Sequence, residues 1–246
     1  MPVDVRNQSD HAARTGAWGD ALAAEDFVLV PGAELTALLP AGDLDRLANG
    51  WDRLELDEAL FDGGTYRYRR YGRLRADGDS PGHRRFTPLP HAPFWQSAEC
   101  MPDYGGRERV FGAISDETLL DPALLGLVAA DLSVVERVTG HRGQWDVGLH
   151  MVRVVAVPAE PGSPTPEGRH RDGHDFVGMH LFRRTGCVGG ESIVYREGRV
   201  PVHLTLTQRL DSLVVADTRL THEVTPVVSD GMTGVRDMLL VDLNAT

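Results

Sequence analysis

The residues best able to do chemistry lie in Glu167-Gly168-Arg169-His170-Arg171-Asp172-Gly173-His174-Asp175-Phe176-Val177. His170 and Asp172 stand at i and i+2, which a regular strand sends to opposite faces; a loop leaving a strand lets both converge on one ion. A third donor, His222 in Thr221-His222-Glu223, follows 50 residues after Asp172. Two neutral imidazoles and one carboxylate are the donor set of a facial Fe(II) triad, whose opposite face stays open to a co-substrate and O2. Arg236 comes 14 residues after His222 and opens the run Arg236-Asp237-Met238-Leu239-Leu240-Val241. A guanidinium there can grip a distal carboxylate bidentately, which an ammonium does less well.

Simpler readings compete with each part. H-x-D is a short pattern, and ten histidines make a distant partner easy to find, so the combination carries the reading. His174 pairs poorly, because the carboxylate that follows it, Asp175, is adjacent. His180 sits mid-run in Val177-Gly178-Met179-His180-Leu181, where a core or supporting role is expected, and His150 and His203 lie in strand patterns that favour structural roles. A cupin-type Zn or Mn site would use more histidines. The non-enzymatic alternative is a jelly-roll binding module in which His170 and Asp172 serve only as hydrogen-bonding groups.

Composition removes several other chemistries. All 25 basic residues are arginine. Without a lysine there is no Walker A loop, no pyridoxal phosphate Schiff base and no Schiff-base aldolase. No G-x-G-x-x-G follows a strand pattern, so a dinucleotide fold has no support. A formal net charge of −11 argues against general affinity for nucleic acid or anionic membrane, and no apolar run is long enough to span a bilayer. Met1-Pro2-Val3-Asp4-Val5 shows no basic stretch followed by an apolar one. With Cys100 and Cys187 lacking CxxC spacing, reduced thiols in a cytoplasmic protein are expected.

The elements that must position the candidate site are read from periodicity. Residues 1–25, with Trp18 as their large anchor, read as an N-terminal extension, a short helix or a loose end. Phe27-Val28-Leu29-Val30 reads as a strand. Glu34 to Leu47 has helical spacing split at Pro40-Gly42. Thr65 to Tyr71 alternates aromatic and basic residues as a strand does, with the Tyr66/Tyr68/Tyr71 stripe expected inside. Residues 76–93, rich in Asp, Gly, Ser, Pro and His, read as a loop and candidate lid. A helix is expected from Ser115-Asp116-Glu117-Thr118 to a C-cap at Gly140. Short β-rich runs follow: Gly148–Val157, Phe176–Arg183, Ser192–Tyr195, Val202–Thr207, Ser212–Ala216 and Met238–Leu243. The expectation is a mainly β, α+β chain: one domain over 1–246, with support and lid over 26–144 and a jelly-roll core over 145–246.

The run Pro166-Glu167-Gly168-x-His170-x-Asp172-Gly173-x-Asp175-Phe176-Val177, then Gly189-Gly190-Glu191-Ser192 and Thr221-His222, resembles the bacterial 2-oxoglutarate/Fe(II) dioxygenases, within them the branch of L-isoleucine 4-hydroxylase-like free amino acid hydroxylases. Asp62-Gly63-Gly64-Thr65-Tyr66-Arg67-x-Arg69-Arg70-Tyr71 and His150-x-x-Arg153 are similar to that family's upstream segments. The resemblance spans Phe27 to the C-terminus. It implies a double-stranded β-helix with iron on His170, Asp172 and His222, and 2-oxoglutarate on Arg236, with Arg219 as a poorer substitute. It further implies O2 as oxidant, succinate and CO2 as co-products, ascorbate as an in vitro reductant, and hydroxylation of an unactivated C–H. A carboxylate at 172, where Gly or Ala would open a halide site, favours hydroxylation over halogenation, although desaturation uses the same triad.

The implied substrate is a free L-amino acid, branched or cyclic. The same chemistry on a carrier-bound or peptide substrate is the alternative, disfavoured by repulsion between an acidic carrier and a −11 chain. A zwitterion needs a cation for its carboxylate and an acceptor for its ammonium. Arg153, Arg69 or Arg70 are candidates for the first, and Asp175 or Glu191 for the second. Oligomeric state is left open.

Overall fold

A computed structural model describes residues 2–6, 9–39, 44–80 and 83–246. The large sheet runs through eight strands in the spatial order Val3–Arg6, His83–Pro88, Arg67–Ser80, Gln144–Ala156, Gly234–Ala245, Phe176–Thr185, Ser212–Val215 and Phe27–Val30. Every neighbouring pair along this path is antiparallel. A small sheet of Val202–Leu204, Ser192–Tyr195 and Thr221–Val224 faces part of it, and Cys187–Gly189 pairs with Val227–Ser229. Two facing antiparallel sheets are the jelly-roll core that the β-rich second half predicts.

The chain's first and last thirds share the large sheet. The 17-residue helix Ser9–Glu25 buries Trp18 and Leu22 and packs beside the helix Pro122–Thr139, so the described part of the N-terminal extension is a strand, Val3–Arg6, and this helix rather than a loose end. Pro122–Thr139 buries twelve residues, including Leu124, Leu125, Leu127, Val128 and Leu132; each fully buried Leu or Val is worth roughly 1.5–3 kcal/mol. The expected long helix is two: Asp116–Leu119 stops, and Asp121 caps a new start by accepting a hydrogen bond from the Ala123 amide with Pro122 in the first turn. Gly140 closes it at φ 70°, the left-handed cap that glycine adopts without steric cost. Short helices occupy Gly32–Thr36 and Leu44–Ala48; the break expected at Pro40-Gly42 lies outside the described residues.

Strand parity decides which residues face the helices and which face the small sheet. On Gln144–Ala156, Trp145, Val147, Leu149 and Met151 pack in the helix-side core, while Val152 and Val154 join the opposite face. On Gly234–Ala245, Leu239, Val241 and Leu243 go to the helices, while Met238 faces the small sheet. On Phe176–Thr185, Val177, Met179 and Leu181 take the same direction as Met238. A period of two makes this face the inner wall of the jelly roll.

Two expectations fail here. Residues 76–93 are not a lid: the strand from Arg67 runs to Ser80 and His83–Pro88 returns beside it. Ala76 and Phe86 are fully buried under the helices, and that burial extends the strands into the segment whose Asp, Gly and Ser composition reads as a loop. The second reversal is in Arg67–Ser80, where Arg67 and Arg69 are buried whereas Tyr66 and Tyr68 are half-exposed. Burying arginine ahead of tyrosine costs free energy unless partners wait inside, and they do. On the helix side, His180 joins Asp131 at 2.8 Å and Ser212 at 2.7 Å. All three are buried and none lines the cavity described below, so the trio pins sheet to helix.

Candidate active site

The loop from Pro164 to Asp175 crosses the mouth of the jelly roll, held against the strand Thr221–Val224. His170 and His222 are joined by two backbone hydrogen bonds of 3.0 and 2.9 Å, each amide donating to the other's carbonyl. That bridge sets their rings 4.6 Å apart. The carboxylate of Asp172 reaches both, 3.6 Å from His170 Nε2 and 3.4 Å from His222 Nε2. One donor atom from each residue falls within 4.8 Å of the others, a spacing that one divalent ion can bridge. His170 Nδ1 lies 2.8 Å from the Gly168 carbonyl; donating there leaves Nε2 as the free lone pair, the usual way a backbone carbonyl orients a ligating imidazole. Two imidazoles and a carboxylate at this spacing fit Fe(II).

Asp217 builds the turn that presents Asp172. Its carboxylate accepts hydrogen bonds from the amides of Asp172, Gly173 and His174 at 3.0, 2.7 and 3.1 Å, a nest of backbone donors. Gly173 holds φ 89° to close it, a conformation that side chains resist. Burial, with the Asp172 charge adding to it, raises Asp217 to about 6. Asp217→Asn is expected to weaken Fe(II) binding by roughly 10–100-fold, as loss of a group orienting metal ligands does, measured by anaerobic Fe(II) titration; unchanged affinity would show that the turn stands without it.

Charge is tightly arranged around the triad. Burial lowers the His170 imidazole, but the Asp172 carboxylate outweighs it and lifts the group to about 9. His222, buried and facing His170, falls to about 4, and Asp172, half-buried, is held well below the usual carboxylate range by its two imidazoles. A divalent ion held by these imidazoles competes with protons for them, so its affinity falls as pH falls.

Inward of the triad is a cavity with about 750 Å³ of empty space counting its open mouth. Val152, Val154, Val177, Met179, Met238 and Leu240 form apolar walls, and Arg236 enters between them. Arg236 is buried, makes no ion pair among the described residues, and leaves Nε without a partner. Burial and the neighbouring Arg184 lower it to about 10. Arg219 instead lies 3.3 Å from Asp26 and points out of the cavity.

Arg153, Asp175 and Glu191 are not on the cavity wall. Arg153 has the parity of Leu149 and Met151, so it points to the far face of the sheet, where it donates to Asp237 at 2.7 and 2.8 Å and to Asp52 at 2.9 Å. Asp175 accepts from the Ala245 amide at 2.9 Å, tying the loop to the last strand. Glu191 contacts His203 at 3.0 Å on the surface. Arg70 pairs with Glu55 at 2.7 Å. Arg153→Ala is expected to leave substrate affinity unchanged and to cost about 2–3 kcal/mol, because Asp237 stays buried with Arg183 alone at 3.4 Å. A fall in Tm of roughly 5–10 °C measures it.

Several cavity residues carry no signal in the sequence. Gln96, Met101, Tyr104 and Arg109 come from the aperiodic segment between Pro88 and Gly112, folded over the mouth by the Phe94–Trp95 and Glu108–Arg109 pairing. Gln96 donates to the Asp172 carbonyl at 2.7 Å, and Arg109 donates to Gln96. Arg67 pairs with Asp57 at 2.8 Å. Arg69 donates to His150 Nδ1 at 3.1 and 2.8 Å, and the other nitrogen of His150 lies 2.9 Å from Asp242. That arrangement is a neutral imidazole, and burial with Arg69 beside it lowers His150 to about 4. Glu167, three residues before His170, also faces in. The motif itself contained it, and only the fold shows that it lines the cavity.

Residues 48–242 match the family described as 2OG-Fe dioxygenase. The chain is 29% identical over 183 residues to an L-isoleucine-4-hydroxylase of Bacillus thuringiensis, covering 72% of this chain and 75% of that one. It is 28% identical over 205 residues to a 3(1)-hydroxy-L-isoleucine 4-dioxygenase of Pantoea ananatis, strain AJ13355, covering 81% and 80%. The crystal structure of a bsmA homolog from Methylobium petroleophilum PM1 superposes with a TM-score of 0.82 at 30% identity, over 94% of this chain and 93% of that one. No helix among the described residues is long and apolar enough to cross a membrane. A family match running from the first cavity-side strands through the last one means that the chain belongs to the 2OG-Fe dioxygenases, enzymes that work with Fe(II), 2-oxoglutarate and O2.

Proposed function

We propose that the protein hydroxylates an unactivated C–H of a free L-amino acid with a branched or cyclic side chain, as a single dioxygenase domain, releasing succinate and CO2. His170, Asp172 and His222 hold the iron, and Arg236 holds the distal carboxylate of 2-oxoglutarate. The observation that carries this reading is the placement of a buried guanidinium with no ion pair among the described residues, Arg236, in the same cavity as the three converging donors. The names of the two relatives, both acting on isoleucine or its derivative, support an amino acid as substrate.

When bound, iron and 2-oxoglutarate together couple oxidative decarboxylation to C–H hydroxylation. The chain's own residues prepare this. The Gly168 carbonyl and the Asp217 nest orient the donors, the histidine bridge fixes their separation, and the valine and methionine walls exclude water around the reacting carbon. Arg236 fixes the co-substrate from its far end.

The test is succinate release from 2-oxoglutarate under air with Fe(II) and ascorbate, across a panel of free L-amino acids that includes L-isoleucine. Stimulation at least tenfold over the uncoupled rate by one or a few apolar amino acids is the expected result. Tight 2-oxoglutarate binding with no stimulation by any free amino acid would replace the substrate with a tethered or larger one.

A further inference from the structure

Four guanidiniums line the cavity: Arg67, Arg69, Arg109 and Arg236. Asp57 neutralises Arg67, and Arg236 is assigned above to 2-oxoglutarate. Arg69 and Arg109 remain, both buried, and neither has a carboxylate in ion-pair contact among the described residues. Arg69 spends Nε and one terminal nitrogen on His150, and Arg109 spends one terminal nitrogen on Gln96 and leaves Nε without a partner. Each therefore keeps a terminal nitrogen uncommitted.

Aromatic faces hold both groups in place. The Arg69 guanidinium lies 4.5 Å from the Phe111 ring centre and 5.3 Å from that of Phe94. Arg109 lies 4.7 Å from Tyr104 and 5.0 Å from Phe94. Ring faces attract a cation and fix its plane, but they carry no formal charge to balance it. A buried cation without an anion is costly, and a ligand carboxylate removes that cost. Two planar forks on one aromatic frame suit a carboxylate better than any other small anionic group of an amino acid.

The cavity also contains the complement. The Glu167 side chain is 8% exposed, its Oε1 lies 3.6 Å from His170 Nδ1, and its Oε2 has no hydrogen-bond partner. It makes no direct ion pair with Arg67 among the described residues. The other lining side chains near these groups, such as Met101 and Pro164, are uncharged.

Resting on the amino-acid reading above, we infer that Arg69 and Arg109 clamp the substrate α-carboxylate and that Glu167 receives its α-ammonium. The clamp makes the substrate a free acid: an ester, amide or carrier thioester has no carboxylate to offer, and an N-acyl derivative has no ammonium. The pair of contacts thereby separates a free amino acid from the same aminoacyl group on a carrier or in a peptide. No lining charge remains to meet a third ionised group, so the side chain carried past the triad is apolar.

The experiment is calorimetry on the full chain loaded with Fe(II) and 2-oxoglutarate under nitrogen, where binding proceeds without turnover. The 20 common L-amino acids form the first panel, followed by the methyl ester and the N-acetyl derivative of the tightest binder. Both derivatives are expected to bind wild-type protein weaker by roughly 100-fold or more, because each strands a buried charge. Arg109→Gln is expected to weaken the free acid by at least about 30-fold and the ester less than about threefold. Glu167→Gln is expected to weaken the free acid similarly while leaving the N-acetyl derivative unchanged. In both variants 2-oxoglutarate should bind within about threefold of wild type, which excludes collapse of the site. An ester that binds as tightly as the acid, or variants that bind the acid as wild type does, overturns the clamp while leaving the amino-acid substrate standing. Failure of every amino acid to bind while 2-oxoglutarate binds overturns both.

Discussion

Asp172→Ala is expected to abolish succinate formation, by about 1,000-fold or more, while the protein folds with its Tm within a few degrees of wild type. The two halves of this expectation have different origins. Metal chemistry supplies several kcal/mol of transition-state stabilisation, and the triad without its carboxylate offers Fe(II) two neutral nitrogens and nothing else. The fold, by contrast, uses Asp172 mainly through its backbone: its amide donates to Asp217 and its carbonyl accepts from Gln96. Alanine keeps both bonds. The substitution also removes the main charge that lifts His170 to about 9, so the imidazole titrates lower. Anaerobic Fe(II) titration, a succinate assay and a thermal melt read the three effects. Retention of more than about a tenth of the activity would take Asp172 out of the metal centre.

Arg236 carries the second large effect, with opposite signs in two measurements. Arg236→Met is expected to raise KM for 2-oxoglutarate by roughly 100-fold or more, since truncating one member of a buried charged pair costs about 2–5 kcal/mol. The same variant is expected to melt higher than wild type when 2-oxoglutarate is absent, by about 1 kcal/mol. In the free protein Arg236 is a buried cation with its Nε unpaired and Arg184 nearby, and replacing an uncompensated buried charge with an apolar side chain of similar volume stabilises. Arg236→Lys should recover only part of the affinity, because an ammonium cannot make the paired contact. A variant that loses affinity without gaining stability would place the anion elsewhere.

The limits of sequence reading follow from particular residues. The convergence of His170 and Asp172 is legible because they are two positions apart beside a glycine, a local pattern whose geometry belongs to the loop. The core strands are legible because alternation survives in Val177, Met179 and Leu181. Arg153 misleads because its role depends on parity relative to a face, and one position in either direction, Val152 or Val154, lies on the cavity. The Tyr66/Tyr68 part of the tyrosine stripe misleads for a related reason, whereas Arg69, a candidate for the substrate carboxylate, does line the cavity. In an alternating Tyr/Arg strand the hydrophobic residue is the ordinary choice for the inside, and Asp57 and His150, which make the reverse arrangement stable, come from other segments. Arg109 and Tyr104 lie in a stretch with no periodicity, so only the tertiary contacts of Phe94 and Gln96 bring them to the site.

The reciprocal backbone bridge between His170 and His222 makes two distant stretches of chain a single unit of local opening. Their amides are donors in the same bridge, so exchange of either with solvent deuterium requires both ligands to part together. The bridge is made by the backbone itself, so the fold rather than the ion sets the separation of the two imidazoles, and little configurational entropy is left for a bound ion to take away. Loading and stripping of iron then become matters of concentration and proton competition rather than of refolding, and a chelated protein should accept metal again as fast as the ion can reach it.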